Sequence, residues 1–380
     1  MKFIHLLLCS VFTFFVLYGP QPILPELAEV FSLTSYQAGL LMTATMLPLA
    51  IAPLVFGYLL LRVNAIRLLK MTLAMLSVTC LLLPLATSFE QLLVIRLMQG
   101  VLLPAALTAM TSYIGQHYRY NYLAKALTSY ILSTIAGGFL ARVTSATISE
   151  YANWQLYFFL LSLVLAGLAV SLRNVKSRTT KTTQATPPAL KENISKVFQG
   201  RTFMLYLPVF GMFFCFTALL NYLPFILKNE FQFESARDIG LVYAGYLLGA
   251  LFSVLTPKLQ LMCRGKSNLL LLTFIIYNVS IVSLITNNFT LFFIGFSVFC
   301  AAMFIIHASA SALLNQISHA PTSLTNGFYV SFYYSGGTLG SFAPGIIYQY
   351  FGKEAFILSL LCLCILSTLS IAYFKRTQVD

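Results

Sequence analysis

The chain is 380 residues long, 59% hydrophobic and only 9% charged, with a formal net charge of +13. A soluble chain of that length carries charge on roughly a quarter of its positions, which excludes water as the main solvent. The basic residues lie scattered between apolar runs and form no single patch, which excludes nucleic acid as their partner.

A helix rising 1.5 Å per residue crosses about 30 Å of hydrocarbon in roughly twenty residues. Apolar runs of that length predict spans over 3–24, 36–61, 67–86, 89–115, 123–148 and 153–172. Helices are required, because a bilayer offers no water to backbone groups and the runs lack the period of two of a barrel strand. The first run is too long for a secretory signal and is followed by no small-residue cleavage site. In it, Pro20, Pro22 and Pro25 remove backbone donors and should free the carbonyls of Val16, Tyr18 and Gln21. Gln21 either contacts substrate there or belongs to a kink that shapes an outer gate.

Arg96 lies some seven residues into span four, about 10 Å deep, where burial costs roughly 3 kcal/mol. Gln99 and Gly100 follow at i+3 and i+4 and share its face. Arg142 sits at a similar depth in span five, one turn after Gly138. No Asp or Glu falls at the centre of any span; Glu26, Glu29, Glu90 and Glu150 stand towards span ends. Two readings stay open for the arginines: they hold an anionic substrate bidentately, or they bond to freed carbonyls and reach Glu26 or Glu150 in an outer gate.

Residues Leu172 to Gly200, rich in Lys, Arg, Thr and Pro, read as a solvated cytoplasmic linker. A second set of spans follows near 201–227, 236–262, 267–287, 288–316, 320–349 and 353–374. Asn221 and Tyr222 before Pro224 predict a polar break in span seven that matches span one, and both are candidate substrate contacts. His307 lies near the middle of span ten, where an imidazole can carry a coupled proton; the other reading is a hydrogen-bonded core histidine. Glu26 is the acidic candidate for proton coupling. Tyr130, Tyr333 and Tyr334 are candidate cavity liners.

With both termini inside, the inner side holds eighteen basic residues: Lys2, Arg62, Arg67, Lys70, Arg119, Lys125, Arg173, Lys176, Arg178, Lys181, Lys191, Lys196, Arg201, Lys258, Arg264, Lys266, Lys375 and Arg376. The outer side has Lys228, Arg237 and Lys353, the asymmetry the positive-inside rule asks of an even span count. A shift of about two hundred residues lays Phe31-Ser32-Leu33-Thr34-Ser35 over Phe231-Gln232-Phe233-Glu234-Ser235. It also brings Gly137 and Gly138 close to Gly336, Gly337 and Gly340. The expectation is an all-α membrane protein of twelve transmembrane helices in two pseudo-symmetric six-helix bundles, 1–172 and 201–380, joined by the linker 173–200, with a substrate site between the halves.

Arg96-Leu97-Met98-Gln99-Gly100 resembles the Arg-x-x-Gln-Gly motif of the major facilitator superfamily. Tyr18-Gly19-Pro20-Gln21-Pro22, Gly137 to Arg142, Asn221-Tyr222-Leu223 and Ala302 to Ser309 resemble its bacterial drug and metabolite efflux branch. The sequence departs from the family in two places. The loop Gly57 to Ala65 lacks the acid of Gly-x-x-x-Asp-Arg-x-Gly-Arg, whose inferred role is to hold an inner gate. Span five lacks the Gly-Pro pair of antiporters.

The resemblance implies the major facilitator fold and a secondary transporter in the bacterial inner membrane. The expected activity is proton-coupled efflux of a small anionic organic molecule (metabolite, drug or carboxylate siderophore), or, in the other direction, uptake of an organic acid or siderophore. The expected partners are that substrate, protons and the lipid bilayer, and a monomer suffices because one chain holds both halves. No nucleotide loop, metal-ligand spacing or catalytic constellation stands out, so no cofactor, metal or enzymatic step is expected. The seven cysteines read as core residues.

Overall fold

The computed structural model describes residues 3–59, 64–173, 175, 197 and 202–377. The linker 173–200 lies outside the described residues except for Arg173, Val175 and Val197, as do Leu60 to Val63 of the loop lacking its acid. Among the described residues every regular element is helical: α1 (Phe3–Tyr18), α2 (Leu24–Val30), α3 (Ser35–Leu59), α4 (Ala65–Leu82), α5 (Phe89–His117), α6 (Tyr120–Tyr151) and α7 (Trp154–Ser171) come first. Then follow α8 (Phe203–Glu230), α9 (Ala236–Val242), α10 (Ala244–Ser253), α11 (Thr256–Met262), α12 (Lys266–Ser283), α13 (Phe289–Ile317), α14 (Thr322–Gly340) and α15 (Ala343–Arg376). Polar residues between the apolar runs start several of these helices. The side chains of Asn64, Ser88, Asn153, Ser235 and Asn288 each accept a first-turn N–H, as N-caps do.

Among the described residues, nine helical stretches are long and apolar enough to cross a membrane, or ten if the bent pair Ala236–Ser253 and Thr256–Met262 is one span. One of the nine, Leu324–Arg376, has 53 residues, about 80 Å of helix and enough for two crossings. It is interrupted after Gly340 and again at Gly352, whose φ of 79° no helix accommodates. With α1 and α2 as one broken span, the twelve expected positions are all filled.

The breaks differ from expectation in three places. Span eight is three helices, parted at Tyr243 and bent by 59° before Thr256, where Pro257 sits at the start of α11. Span eleven stops at Gly340 ahead of Pro344. Span seven has no break: α8 runs through Pro208 and Pro224 without interruption. Most of its residues are buried, and the helix continues past both prolines although each removes one backbone donor.

Two compact units divide the structure. Met1–Leu33, Leu40–Gln184 and Phe233–Tyr243 form the first; Thr34–Gly39, Ala185–Gln232 and Ala244–Asp380 form the second. Within the first, α1 packs on α6, α4 on α7 and α4 on α5. Within the second, α8 packs on α14, α12 on α15 and α12 on α13, the same pairings one repeat later. Glycines set the closest of these contacts. Gly137 of α6 lies against the Val11 backbone of α1, and Gly336 and Gly340 of α14 lie against the Phe210 and Phe214 carbonyls of α8.

A Cβ at Gly340 would fall 2.2 Å from the Phe214 carbonyl oxygen, whereas one at Gly327 on the same helix meets nothing within 4 Å. Gly340→Ala is therefore expected to lower stability by roughly 1–3 kcal/mol. Gly327→Ala should leave it unchanged or raise it by about 0.5–1 kcal/mol. Thermal unfolding of the two variants in one detergent checks the difference.

Candidate functional site

The first unit holds two arginines that are each only 1% exposed, and both converge on the break in span one. Pro20 has no N–H to give the Val16 carbonyl, and the Gln21 N–H turns to the Tyr18 carbonyl at 3.1 Å, which deprives Leu17 of its helical donor. Arg96 takes both deprived carbonyls. Its Nη1 donates to Val16 O at 2.8 Å and to Gln99 Oε1 at 2.7 Å; its Nη2 donates to Leu17 O at 3.2 Å and to Thr45 Oγ1 at 3.1 Å; its Nε donates to Leu41 O at 3.2 Å. A guanidinium has five N–H donors, and here five oxygen acceptors receive them. The sequence reading is corrected in one detail: the carbonyls of Tyr18 and Gln21 are reclaimed by the N–H groups of Gln21 and Leu24, and it is Val16 and Leu17 that are left to the arginine.

Gln99 orients the same post: its amide oxygen faces Arg96 and its nitrogen lies 3.6 Å from Cys80 Sγ. Gly100 meets the Ala44 and Thr45 backbone closely enough that no side chain fits, which brings α3 within reach of the guanidinium. In this arrangement Arg96 and Gln99 are occupied by protein groups. Arg96 thus ties α1, α3 and α5 together.

Arg142 is held differently. Its Nε donates to Gln21 Oε1 at 2.5 Å and its Nη1 to the Gly138 carbonyl one turn earlier at 2.7 Å. Its guanidinium carbon lies 4.3 Å from the centre of the Tyr18 ring and 4.9 Å from that of Tyr243, as in cation–π contacts. Gln21, fixed in the break of span one, thus meets Arg142 of α6 as part of a polar and aromatic cage. Glu26 follows in the first turn of α2 and accepts a short hydrogen bond from Ser149 of α6.

The second unit contains the other candidates. The Tyr329 hydroxyl stands 2.9 Å from His307 Nδ1 and 3.1 Å from the His307 carbonyl. A phenol has one proton and can give it to either acceptor, so Tyr329 can pair with Nδ1 whether or not that nitrogen carries a proton. The Tyr333 ring lies 4.9 Å from the imidazole and stacks on Phe213 of α8, with Tyr334 edge-on to both. Tyr222 is wholly buried: its hydroxyl donates to the Ser341 carbonyl at 3.3 Å and its ring fills the space above Gly39 and Gly345, among Phe225, Tyr348 and Phe356. Asn221 is wholly buried on the unbroken α8. Tyr130 is buried on α6.

Sequence reasoning missed Thr45, Tyr243 and Tyr329. Tyr329 had a signal, standing one turn before Tyr333 on the same helix. Thr45 and Tyr243 had none, since only the packing of α3 and α9 brings them to the arginines.

Arg96→Lys keeps the charge but offers three donors to five acceptors. It is expected to lower the stability of the purified protein by roughly 2–5 kcal/mol, seen as a depressed thermal midpoint.

The profile of the Major Facilitator Superfamily matches residues 6–263. An uncharacterized transporter of Buchnera aphidicola subsp. Baizongia pistaciae (strain Bp) is 25% identical over 96% of this chain and 92% of its own length. The uncharacterized MFS-type transporter YybF of Bacillus subtilis (strain 168) is 24% identical over 89% of this chain and 84% of its own. The inner membrane transport protein YnfM of Escherichia coli (strain K12) is 24% identical over 93% of this chain and 86% of its own. Among solved structures, the nucleoside transporter NupG superposes with a TM-score of 0.77 at 13% identity, covering 99% of both chains. A bacterial homolog of the human lysosomal transporter Spinster superposes with a TM-score of 0.74 at 16% identity, covering 98% of this chain and 95% of that one. These structures share its fold. With twelve helical positions filled and a family profile covering well over half of its length, the chain belongs to the Major Facilitator Superfamily and is a multi-pass membrane transporter.

Proposed function

We propose that this transporter exports a small organic anion across a bacterial inner membrane, driven by proton entry, with both termini cytoplasmic. Members of the superfamily move small organic molecules, often together with ions. The observation that carries the reading is Arg142: a guanidinium 1% exposed, well inside an apolar helix, caged by Gln21, Tyr18 and Tyr243. A permanently charged group at that depth costs several kcal/mol, which makes an intramembrane arginine a functional residue by default, and a planar fork is the natural contact for a carboxylate or phosphate. Arg96, with its five N–H donors all paired, holds the broken first span in the shape that presents Gln21.

In this reading Asn221, wholly buried on α8, is a polar substrate contact of the second unit, and His307 with Tyr329 carries the proton, because the hydroxyl serves both protonation states of Nδ1. Glu26 is the second proton-carrying candidate, at the Ser149 contact. Export as opposed to uptake is supported by the resemblance of Tyr18 to Pro22 and Gly137 to Arg142 to the efflux branch. Carboxylates, including siderophores, are the substrates that suit the charge.

Arg142→Gln is expected to abolish transport of an acidic compound while the protein still reaches the membrane. Unchanged flux in that variant would reject the anion contact. His307→Ala is expected to flatten the pH dependence of transport, and a wild-type pH profile would remove His307 from the proton path. An acid-inside gradient should drive accumulation of the compound into inside-out vesicles, as proton antiport requires, whereas accumulation driven only by an acid-outside gradient means proton symport, the coupling of an uptake system.

A further inference from the structure

Within the first unit, α9 lies along α6 in an antiparallel register that repeats every turn. The Glu150 carboxylate accepts the Ala236 N–H at 2.7 Å. Four residues later along α9, a Cβ on Gly240 would lie 2.6 Å from that of Ala146. Three residues beyond that, the Tyr243 ring covers the Arg142 guanidinium at 4.9 Å. Residues 150, 146 and 142 of α6 thus meet 236, 240 and 243 in order, each step about one helical turn. Arg237 Nη1 reinforces the first rung by donating to the Tyr151 hydroxyl at 3.0 Å. The ladder has a polar hook at one end, a glycine contact in the middle and an aromatic cover on a buried charge at the other.

Tyr243 is also a joint. The segment of the first unit ends at Tyr243 and the second unit resumes at Ala244. There α9 gives way to α10, and the Tyr243 N–H is shared between the Gly240 and Leu241 carbonyls, as at the end of a finished helix. A helix broken at that point can swing on one residue without disturbing the packing of α10 on α13.

We infer that Tyr243 is a removable cover on Arg142 that sets when the guanidinium can meet a small organic anion. The inference rests on the reading of Arg142 as the anion contact. While α9 is hooked to Glu150, the phenol ring occupies the guanidinium. When the hook releases, α9 swings about the Tyr243–Ala244 joint and the arginine opens to a carboxylate or phosphate. Tyr243 is then a positioning residue: it touches the group that binds, and it acts through that group's availability.

Labelling of arginines by phenylglyoxal, read by peptide mass spectrometry on the full chain in lipid nanodiscs, tests this without knowledge of the substrate. Arg237, which is exposed, reports access of the reagent, and Arg96, enclosed by its five acceptors, reports general loosening. Tyr243→Leu is expected to raise the labelling rate of Arg142 about tenfold while Tyr243→Phe, which keeps the ring, stays at the wild-type rate. Glu150→Ala, which leaves Tyr243 in place and removes the hook, should also speed it. Arg142 labelling unchanged in both Tyr243→Leu and Glu150→Ala, or Arg96 labelled alongside Arg142, would overturn the cover. If Arg142 is uncovered as expected and Arg142→Gln nevertheless transports normally, the cover stands and the anion reading falls.

Discussion

A guanidinium buried in a hydrocarbon-spanning protein must find an acceptor for every N–H, because no water is there to supply one. Arg96 meets this demand through a defect in its neighbour. The prolines of span one deny the Val16 and Leu17 carbonyls their helical donors, and the arginine of α5 supplies the missing hydrogen bonds. Neither element is stable alone: without Arg96 the broken span has orphaned carbonyls, and without the break Arg96 has orphaned donors. The bonds to Leu41 and Thr45 add α3 to the same node. The shape of the first unit around Gln21, and so the setting of Arg142, depends on this one exchange.

The two arginines show how similar residues at similar depth take different roles. Arg96 is surrounded by oxygens that belong to the scaffold. Arg142 lies against the Tyr18 and Tyr243 rings and donates to the Gln21 amide and the Gly138 carbonyl, and in the proposed reading its planar group meets a ligand once one of these partners moves. The duplication of the fold does not extend to these sites. The pairings of α1 with α6 and of α8 with α14 are equivalent, yet α8 is unbroken and carries Asn221 and Tyr222 where α1 breaks. The second unit puts its polar group on α13 instead, with His307 against Tyr329 of α14.

Much of this was legible in the sequence. Run lengths located the helices because membrane thickness leaves a spanning segment little choice of length. The prolines and the paired glycines marked the break in span one and the close seams, since a missing backbone donor and a missing side chain can both be read residue by residue. Span seven shows the limit: Pro224 near Asn221 predicts the same break as the prolines of span one, yet α8 runs on through it, largely buried. Depth identified Arg96 and Arg142 as important, yet only the acceptors around each guanidinium separate a structural post from a candidate contact. Three of those partners, Leu41 and Thr45 of α3 and Tyr243 at the end of α9, are distant in sequence and belong to no motif.

The central claim is that Arg142 gives this transporter a preference for negative charge. Ligand-induced thermal stabilisation of the purified protein, measured with organic carboxylates and with uncharged amides of the same size, tests it most directly. A ligand that binds the folded state raises stability by RT ln(1 + [L]/Kd), about 2.7 kcal/mol at a hundredfold excess over Kd. The account predicts that at least one carboxylate raises the midpoint of the wild-type protein, that its amide does not, and that Arg142→Gln abolishes the difference. Equal stabilisation by the amide, or a carboxylate response that survives Arg142→Gln, would contradict it.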